Sequence, residues 1–412
     1  MPKRGTMRLI ISFASLFLSV IFLQLGAGGL APLDAISGAS LGFSKGEIGL
    51  LGSAHFFGFF LGCWWAPRLI GDVGHARAFA AFTAAGTIGI LAHMLIIAPY
   101  AWAGMRIMIG LCVAGSYTVI EAWLQGRVTN ENRARAMGIY RIVDIGGSLG
   151  AQLFIVVLTP ASYISYNLLA LLCCAAIFPI TVSKAPSPIA PTAPRLRPML
   201  AWAKSPLGSI GVIVSGVTGA AFRMVGPIYG IEVGLHPDQI ALFLAAYVLG
   251  GALAQLPVGW LADKYDRRSV LIGLSVAGIF ACGSTIFLSP FGTWGIFISV
   301  GLFGFSTMPI YSVSTAHAHD FAQDYERVEL SAAMMFLYAI GAIFSPLMAA
   351  LLMGAFGPSS MFVMISVAHL VLIIFGILRT AIRPTVSHRT PYTYEPRTSF
   401  LIGRLLRRNR VK

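Results

Sequence analysis

Runs of roughly 20 apolar residues, each long enough to cross a hydrocarbon core as a helix, recur along nearly the whole of this chain. Bounded by charges and by Pro and Gly turns, they fall at 8–31, 46–69, 77–98, 100–126, 134–158 and 163–183, and again at 206–231, 239–262, 269–289, 292–316, 328–353 and 358–380. This pattern fixes the fold class before any motif is read. A lipid-facing backbone finds no water for its N–H and C=O groups, so segments this long must close their own hydrogen bonds as helices. The expectation is an all-α membrane protein of twelve transmembrane helices. Composition agrees, with 57% hydrophobic and 11% charged residues in a chain of 412 and a mean hydropathy of +0.80, where soluble domains carry about 25% charged residues.

The formal charge of +14 is not a nucleic-acid footprint, because the basic residues sit in short turns between apolar runs and at the C-terminal end. Lys3, Arg4, Arg68, Arg77, Arg127, Arg133, Arg135, Lys264, Arg267, Arg268 and Arg327 fall on one side of the alternating spans, and Lys45 stands almost alone on the other. Lys and Arg are retained in the cytoplasm, so both termini are expected there, in a bacterial-type inner membrane, which requires an even number of spans. The basic start followed by an apolar stretch reads as an uncleaved first helix, since no small-residue cleavage site precedes Pro32. Cys63, Cys112, Cys173, Cys174 and Cys282 all lie within apolar runs without zinc spacing, and are read as packing residues. No metal or cofactor is expected.

Residues 184–204 hold five prolines with Arg195 and Arg197, too polar to span. They divide the chain into a six-helix bundle at 1–183, a cytoplasmic linker at 184–204, a second six-helix bundle at 205–380 and a basic tail at 381–412. Two corresponding pairs, Gly62 with Gly259 and Tyr140 with Tyr338, are offset by 197 and 198 residues. Two like halves of six spans have the same orientation, a parallel repeat whose interface can hold a midplane site. In the tail, Phe400, Leu401, Ile402, Leu405 and Leu406 interleave with Arg404, Arg407, Arg408 and Arg410. It reads either as an interfacial helix on anionic lipid or as a solvated basic tail.

The loop after the eighth run is Gly259-Trp260-Leu261-Ala262-Asp263-Lys264-Tyr265-Asp266-Arg267-Arg268. It resembles the G-x-L-A-D-[RK]-x-G-R-[RK] signature of the major facilitator superfamily, with Asp266 where the family usually has Gly. Glycine permits close helix approach, the carboxylate can pair or cap, and the arginine pair anchors the cytoplasmic surface. The first-half copy, Gly62 to Arg68 followed by Asp72, Gly74, His75 and Arg77, lacks the acid at the expected place, and Asp72 is the candidate substitute. Arg106 and Gly110 resemble the family's R-x-x-x-G element, whose Arg is associated with proton coupling. The segment Thr118-Val119-Ile120-Glu121-Ala122-Trp123-Leu124, with Arg135 to Tyr140 and Gly74 to Arg77, is similar to the YcaD-like branch. The resemblance implies a fold of two six-helix bundles and a secondary transporter of a small solute, monomeric and coupled to protons. Gly146, Gly147 and Gly150 lack the proline of the drug-antiporter element G-P-x-x-G-G.

A charge at the centre of a span costs about 2.5–3.5 kcal/mol on insertion scales, so each one kept there must face protein or water. Glu121, Arg141 and Asp144 are predicted to form a cluster between the fourth and fifth helices, either a static ion-pair lock or a gate and proton relay. Arg106 and Arg223 lie deeper, where an arginine can snorkel outward or hold an anionic group of the substrate. Asp34 and Glu232 are placed near the outer ends of helices 1 and 7. His55, His93 and His369 are more commonly packing histidines, with His55 the favoured coupling candidate. Gln24, Gln152, Gln255, Asn167, Tyr229, Tyr247, Tyr311 and Tyr338 are potential cavity hydrogen-bonders or helix bridges. No Walker A motif occurs, against an ATP-driven pump, and no HExxH or GxSxG constellation supports a membrane enzyme. A non-transporting sensor stays open as the rival, and the substrate reading is a vitamin-like compound such as riboflavin, or an amphiphilic drug-like one.

Overall fold

The computed structural model describes residues 2–128, 133–182, 196–323, 325–382 and 392. Among them every regular element is a helix. The spans are α1 (Phe13–Ser40), α2 (Lys45–Val73), α3 (His75–Ala92), α4 (Pro99–Arg127), α5 (Ala136–Val157), α6 (Tyr163–Thr181), α7 (Pro206–Glu232), α8 (Pro237–Lys264), α9 (Arg267–Phe291), α10 (Thr293–His319), α11 (Arg327–Phe356) and α12 (Ser360–Ile382). Eleven are long and apolar enough to cross a membrane; α3, the twelfth, is 18 residues and opens with His75 and Arg77.

The helix ends follow local chemistry. Ser44 and Glu47 form a reciprocal capping box at the start of α2, satisfying two otherwise orphaned donors. Gly74, at φ +84°, turns the chain from α2 into α3 in a conformation that L side chains avoid. Proline opens α4, α7 and α8, where its missing N–H is no loss.

The first helix departs from the sequence reading, which ended it at residue 31. It continues through Pro32 to Ser40, with a π-helical segment at Gln24–Gly28. Membrane helices tolerate proline when local backbone adjustment and neighbouring helices satisfy the freed groups. Asp34 therefore lies inside a span, fully buried, rather than at a helix end.

The two halves pack by the same rule. A Cβ on Gly58, Gly62 or Gly110 would strike the backbone of the facing helix in the α2–α4 pair, and one on Gly250 or Gly304 would do so in α8–α10. Glycine lets the backbones touch where no hydrophobic force drives helices together. Gly216 and Gly341 do this for α7–α11, while Gly147 sits against Gln24 in α5–α1.

Between the halves, α2 meets α11 at one end of the bundle. Lys45 forms an ion pair with Glu232 and donates to the Met353 carbonyl at 3.3 Å; nearby, the Leu347 N–H donates to Ser53 Oγ at 3.3 Å. Gly49 lies against Pro346, Leu347 and Ala350.

The described part of the linker is not all extended chain. Pro198–Lys204 is a short helix, tied to the start of α11 by Lys204–Glu326 at 2.7 Å and by Arg197–Glu329 at 3.1 Å. Partial burial pushes the Glu326 carboxyl up, but hydrogen bonds from Lys204 and the Gln323 backbone, with the Lys204 and Arg197 charges, outweigh it and hold the group below 4.5. Residues 183–195 and the amphipathic segment 396–412 lie outside the described residues.

Candidate functional site

A cavity of about 160 Å³ lies between the halves, lined by α1, α2, α4, α5, α7, α8, α10 and α11. Its walls mix aromatic and apolar side chains (Phe56, Phe59, Val113, Met224, Met308) with Gln24, His55, Tyr117, Gln255 and Tyr338. Three ionised side chains reach it: Arg106, Asp144 and Arg223.

Arg106 is buried, and its Nη1 lies 3.5 Å from Asp34 Oδ2. The sequence reading left Arg106 free to snorkel or to bind an anion. The fold instead sets an aspartate behind it, because α1 continues past Pro32. Asp34 Oδ1 accepts from the Tyr166 hydroxyl at 2.8 Å, and Oδ2 lies 3.4 Å from His93 Nε2. His93 stacks on Tyr166, with centroids 5.4 Å apart, and its Nδ1 is 2.8 Å from the Gly89 carbonyl. A carbonyl only accepts, so Nδ1 carries the hydrogen and Nε2 presents either a lone pair or a second proton to Asp34. A proton on that axis turns lone pair against lone pair into an attraction.

Asp144 accepts from Gln24 Nε2 at 2.7 Å and from the Tyr117 hydroxyl at 3.4 Å, and lies 3.9 Å from Arg141 Nη1. Arg141 also lies over the Tyr140 ring at 4.8 Å. Of the predicted Glu121, Arg141 and Asp144 cluster, the latter two form an ion pair and only Asp144 lines the cavity. Glu121 is buried on α4 beside Cys63. Arg223 is exposed although Phe222 and Met224 on either side of it are buried. His55 is half-buried on the cavity wall. Among the polar candidates Gln24, Gln255 and Tyr338 line the cavity, and Tyr117 was missed although it lies one helical turn before Glu121, immediately ahead of the segment that begins at Thr118.

The loop after α8 corrects several expectations. Arg267 and Arg268 are buried, not a surface anchor. Arg267 Nη1 donates to Asp320 and to the Ala316 carbonyl, both at 2.8 Å, while Nη2 reaches Asp263 at 3.4 Å. This ties α9 to the end of α10. Asp266, where glycine was expected, caps α9 by accepting from the Arg268 N–H at 3.0 Å and grips the Arg268 guanidinium at 2.7 Å. Partial burial raises the Asp266 carboxyl, but hydrogen bonds and charge from Arg268 outweigh it and hold the group below 3.8. Gly259 makes room for Tyr392 rather than for a helix: a Cβ there would meet the Tyr392 ring at 2.9 Å. The Tyr392 N–H donates to Asp263 at 2.7 Å and its hydroxyl to the cavity residue Gln255 at 3.3 Å. In the first half Gly62 does allow close approach, to Leu111. Asp72 and Arg77 are exposed and form no ion pair among the described residues. Glu232 holds Lys45 at the opposite end. Among the described residues no group of histidines, cysteines and carboxylates could hold a metal ion.

Residues 207–411 match the family model described as Major Facilitator Superfamily. The chain is 27% identical over 352 residues to an uncharacterized MFS-type transporter, YcaD, of Escherichia coli O7:K1, covering 82% of this chain and 87% of that protein. It is 26% identical over 360 residues to an uncharacterized MFS-type transporter of Enterobacter sp. (strain 638), covering 84% and 89%. In structure it is similar to the nucleoside transporter NupG, with a TM-score of 0.73 at 16% identity over 89% of this chain and 98% of that one. A D-xylose-proton symporter gives a TM-score of 0.67 at 13% identity, covering 93% and 99%.

Proposed function

We propose that the chain is a member of the major facilitator superfamily, whose family model matches residues 207–411, and that it carries a small organic solute by alternating access, driven by protons. The observation that carries this reading is the cavity between the halves, lined by four helices from each. A site shared equally between two like bundles is reached from either side as one rocks against the other. With both termini cytoplasmic in a bacterial inner membrane, the Lys45 end faces outward. The Lys45–Glu232 pair and the α2–α11 contact then close the outer side, an inward-facing arrangement.

Asp34 and His93 supply the proton site. Their facing Oδ2 and Nε2 atoms need one proton between them, and Arg106 joins this buried pair to the cavity wall. Loss of that proton strengthens the pull of Asp34 on Arg106, so the charge on the cavity wall senses protonation behind it. The aromatic faces of Phe56, Phe59 and Tyr117, with the amides of Gln24 and Gln255, suit a vitamin-like or amphiphilic solute.

The test uses proteoliposomes holding a pH-sensitive dye, challenged with vitamins, nucleosides, sugars, organic acids and amphiphilic drugs. A transported compound moves protons with it in the wild-type protein, and Asp34→Asn uncouples the two fluxes. Ligand binding without flux across the whole panel returns the function to a membrane sensor.

A further inference from the structure

We propose that the solute is an organic monoanion, a carboxylate on an aromatic or apolar body, and that Arg223 receives its charge. The inference rests on the transporter reading and adds the chemistry of the cargo. Of the three ionised side chains that line the cavity, two already meet an opposite charge within 4 Å, Arg106 at Asp34 and Asp144 at Arg141. Arg223 forms no ion pair among the described residues.

Its place on α7 excludes snorkelling. Arg223 stands nine residues before Glu232, the last residue of the helix, about 14 Å at 1.5 Å per residue, beyond the reach of one side chain. The neighbouring Phe222 and Met224 are buried while Arg223 is exposed, and it lines the cavity. An arginine at that depth without a counter-charge is costly, and a planar guanidinium matches a carboxylate with two parallel hydrogen bonds. An incoming anion supplies what the protein withholds. Asp144, which lines the same cavity, disfavours a second negative charge, which limits the cargo to a monoanion. Phe56, Phe59 and Met224 give the rest of the molecule an apolar seat.

The test measures binding to the detergent-purified full-length protein, by calorimetry and thermal melting, of matched acids and amides: benzoate and benzamide, nicotinate and nicotinamide, 4-aminobenzoate and 4-aminobenzamide. Phthalate serves as a dianion. At least one acid is expected to bind roughly ten- to hundredfold more tightly than its amide, the span of a charged hydrogen-bonded pair, with phthalate weaker. The preference falls to near unity in Arg223→Gln and is partly kept in Arg223→Lys. No acid preference in the wild-type protein, or a preference unchanged in Arg223→Gln, overturns the proposal. Should the Gln variant fail to fold, the wild-type contrast and the Lys variant decide. Proteoliposome uptake separates the two readings. Acid-selective binding without uptake keeps the anion site and removes the transporter, whereas uptake of amide as fast as acid does the reverse.

Discussion

Replacing Asp34 by asparagine isolates the charge that the buried polar cluster depends on. The change keeps the shape: the amide oxygen still accepts from Tyr166, and the amide N–H₂ donates to His93 Nε2, whose Nδ1 hydrogen is committed to Gly89. What is lost is the negative charge 3.5 Å from Arg106 Nη1. At that separation, with an effective dielectric of about 20, the gross attraction is about 5 kcal/mol. Orphaning one partner of a buried pair costs roughly 3–5 kcal/mol. Asp34→Asn therefore destabilises the protein by about 3–5 kcal/mol. Arg106→Met costs less, about 1–3 kcal/mol, because Asp34 keeps Tyr166 and His93. The informative variant is the double one, which leaves no charge without a partner. It should be more stable than Asp34→Asn alone, with a coupling energy of about 2–4 kcal/mol. The assay is reversible unfolding in mixed micelles at pH 7, all four proteins under one lipid and detergent composition. Additive single effects, within about 0.5 kcal/mol, would refute the argument that Asp34 and Arg106 act as a pair.

Gly110→Ala drives a methyl group into the His55 carbonyl and should cost about 1–3 kcal/mol, whereas Gly104→Ala on the same helix meets nothing within 4 Å and should be neutral or stabilising; equal melting temperatures for the two would be wrong for this packing. Asp266→Ala removes a helix cap worth about 1 kcal/mol. Because the folded carboxyl sits below 3.8, its contribution is present above that pH and lost as pH falls through the folded value. The wild-type and variant stability curves, measured from pH 7 to 2, should therefore converge only at the acid end. Lys45→Ala weakens the clamp between the halves, a partly exposed pair worth about 0.5–1 kcal/mol. A single cysteine at Gln24 should then react about two- to fivefold faster with an impermeant maleimide added from the Lys45 side, and Lys45→Glu with Glu232→Lys should restore the slow rate.

The sequence by itself determined the class of this protein and the number of its spans, because apolar length against bilayer thickness is a local property that each run carries alone. The resemblance of Gly259 to Arg268 to a family signature was equally legible, being contiguous. Helix starts were readable within a few residues wherever a cap or proline marked them, as at Ser44 and Pro237.

Partnership was decided only by tertiary structure. Asp34 and Tyr166 are 132 residues apart, and nothing local in either says that α1 passes its proline and carries the carboxylate to Arg106 and His93. The same holds for the loop after α8. Its residue types were read correctly, yet Arg267 pairs with Asp320 just past the end of α10 and Gly259 faces Tyr392, because a side chain's partner depends on which helices stand beside it. The sequence also offered Arg106 and Arg223 as equals. Folding separated them by giving one a buried aspartate and leaving the other facing the cavity, and a charge in a low-dielectric interior is defined by what stands within a few ångströms of it.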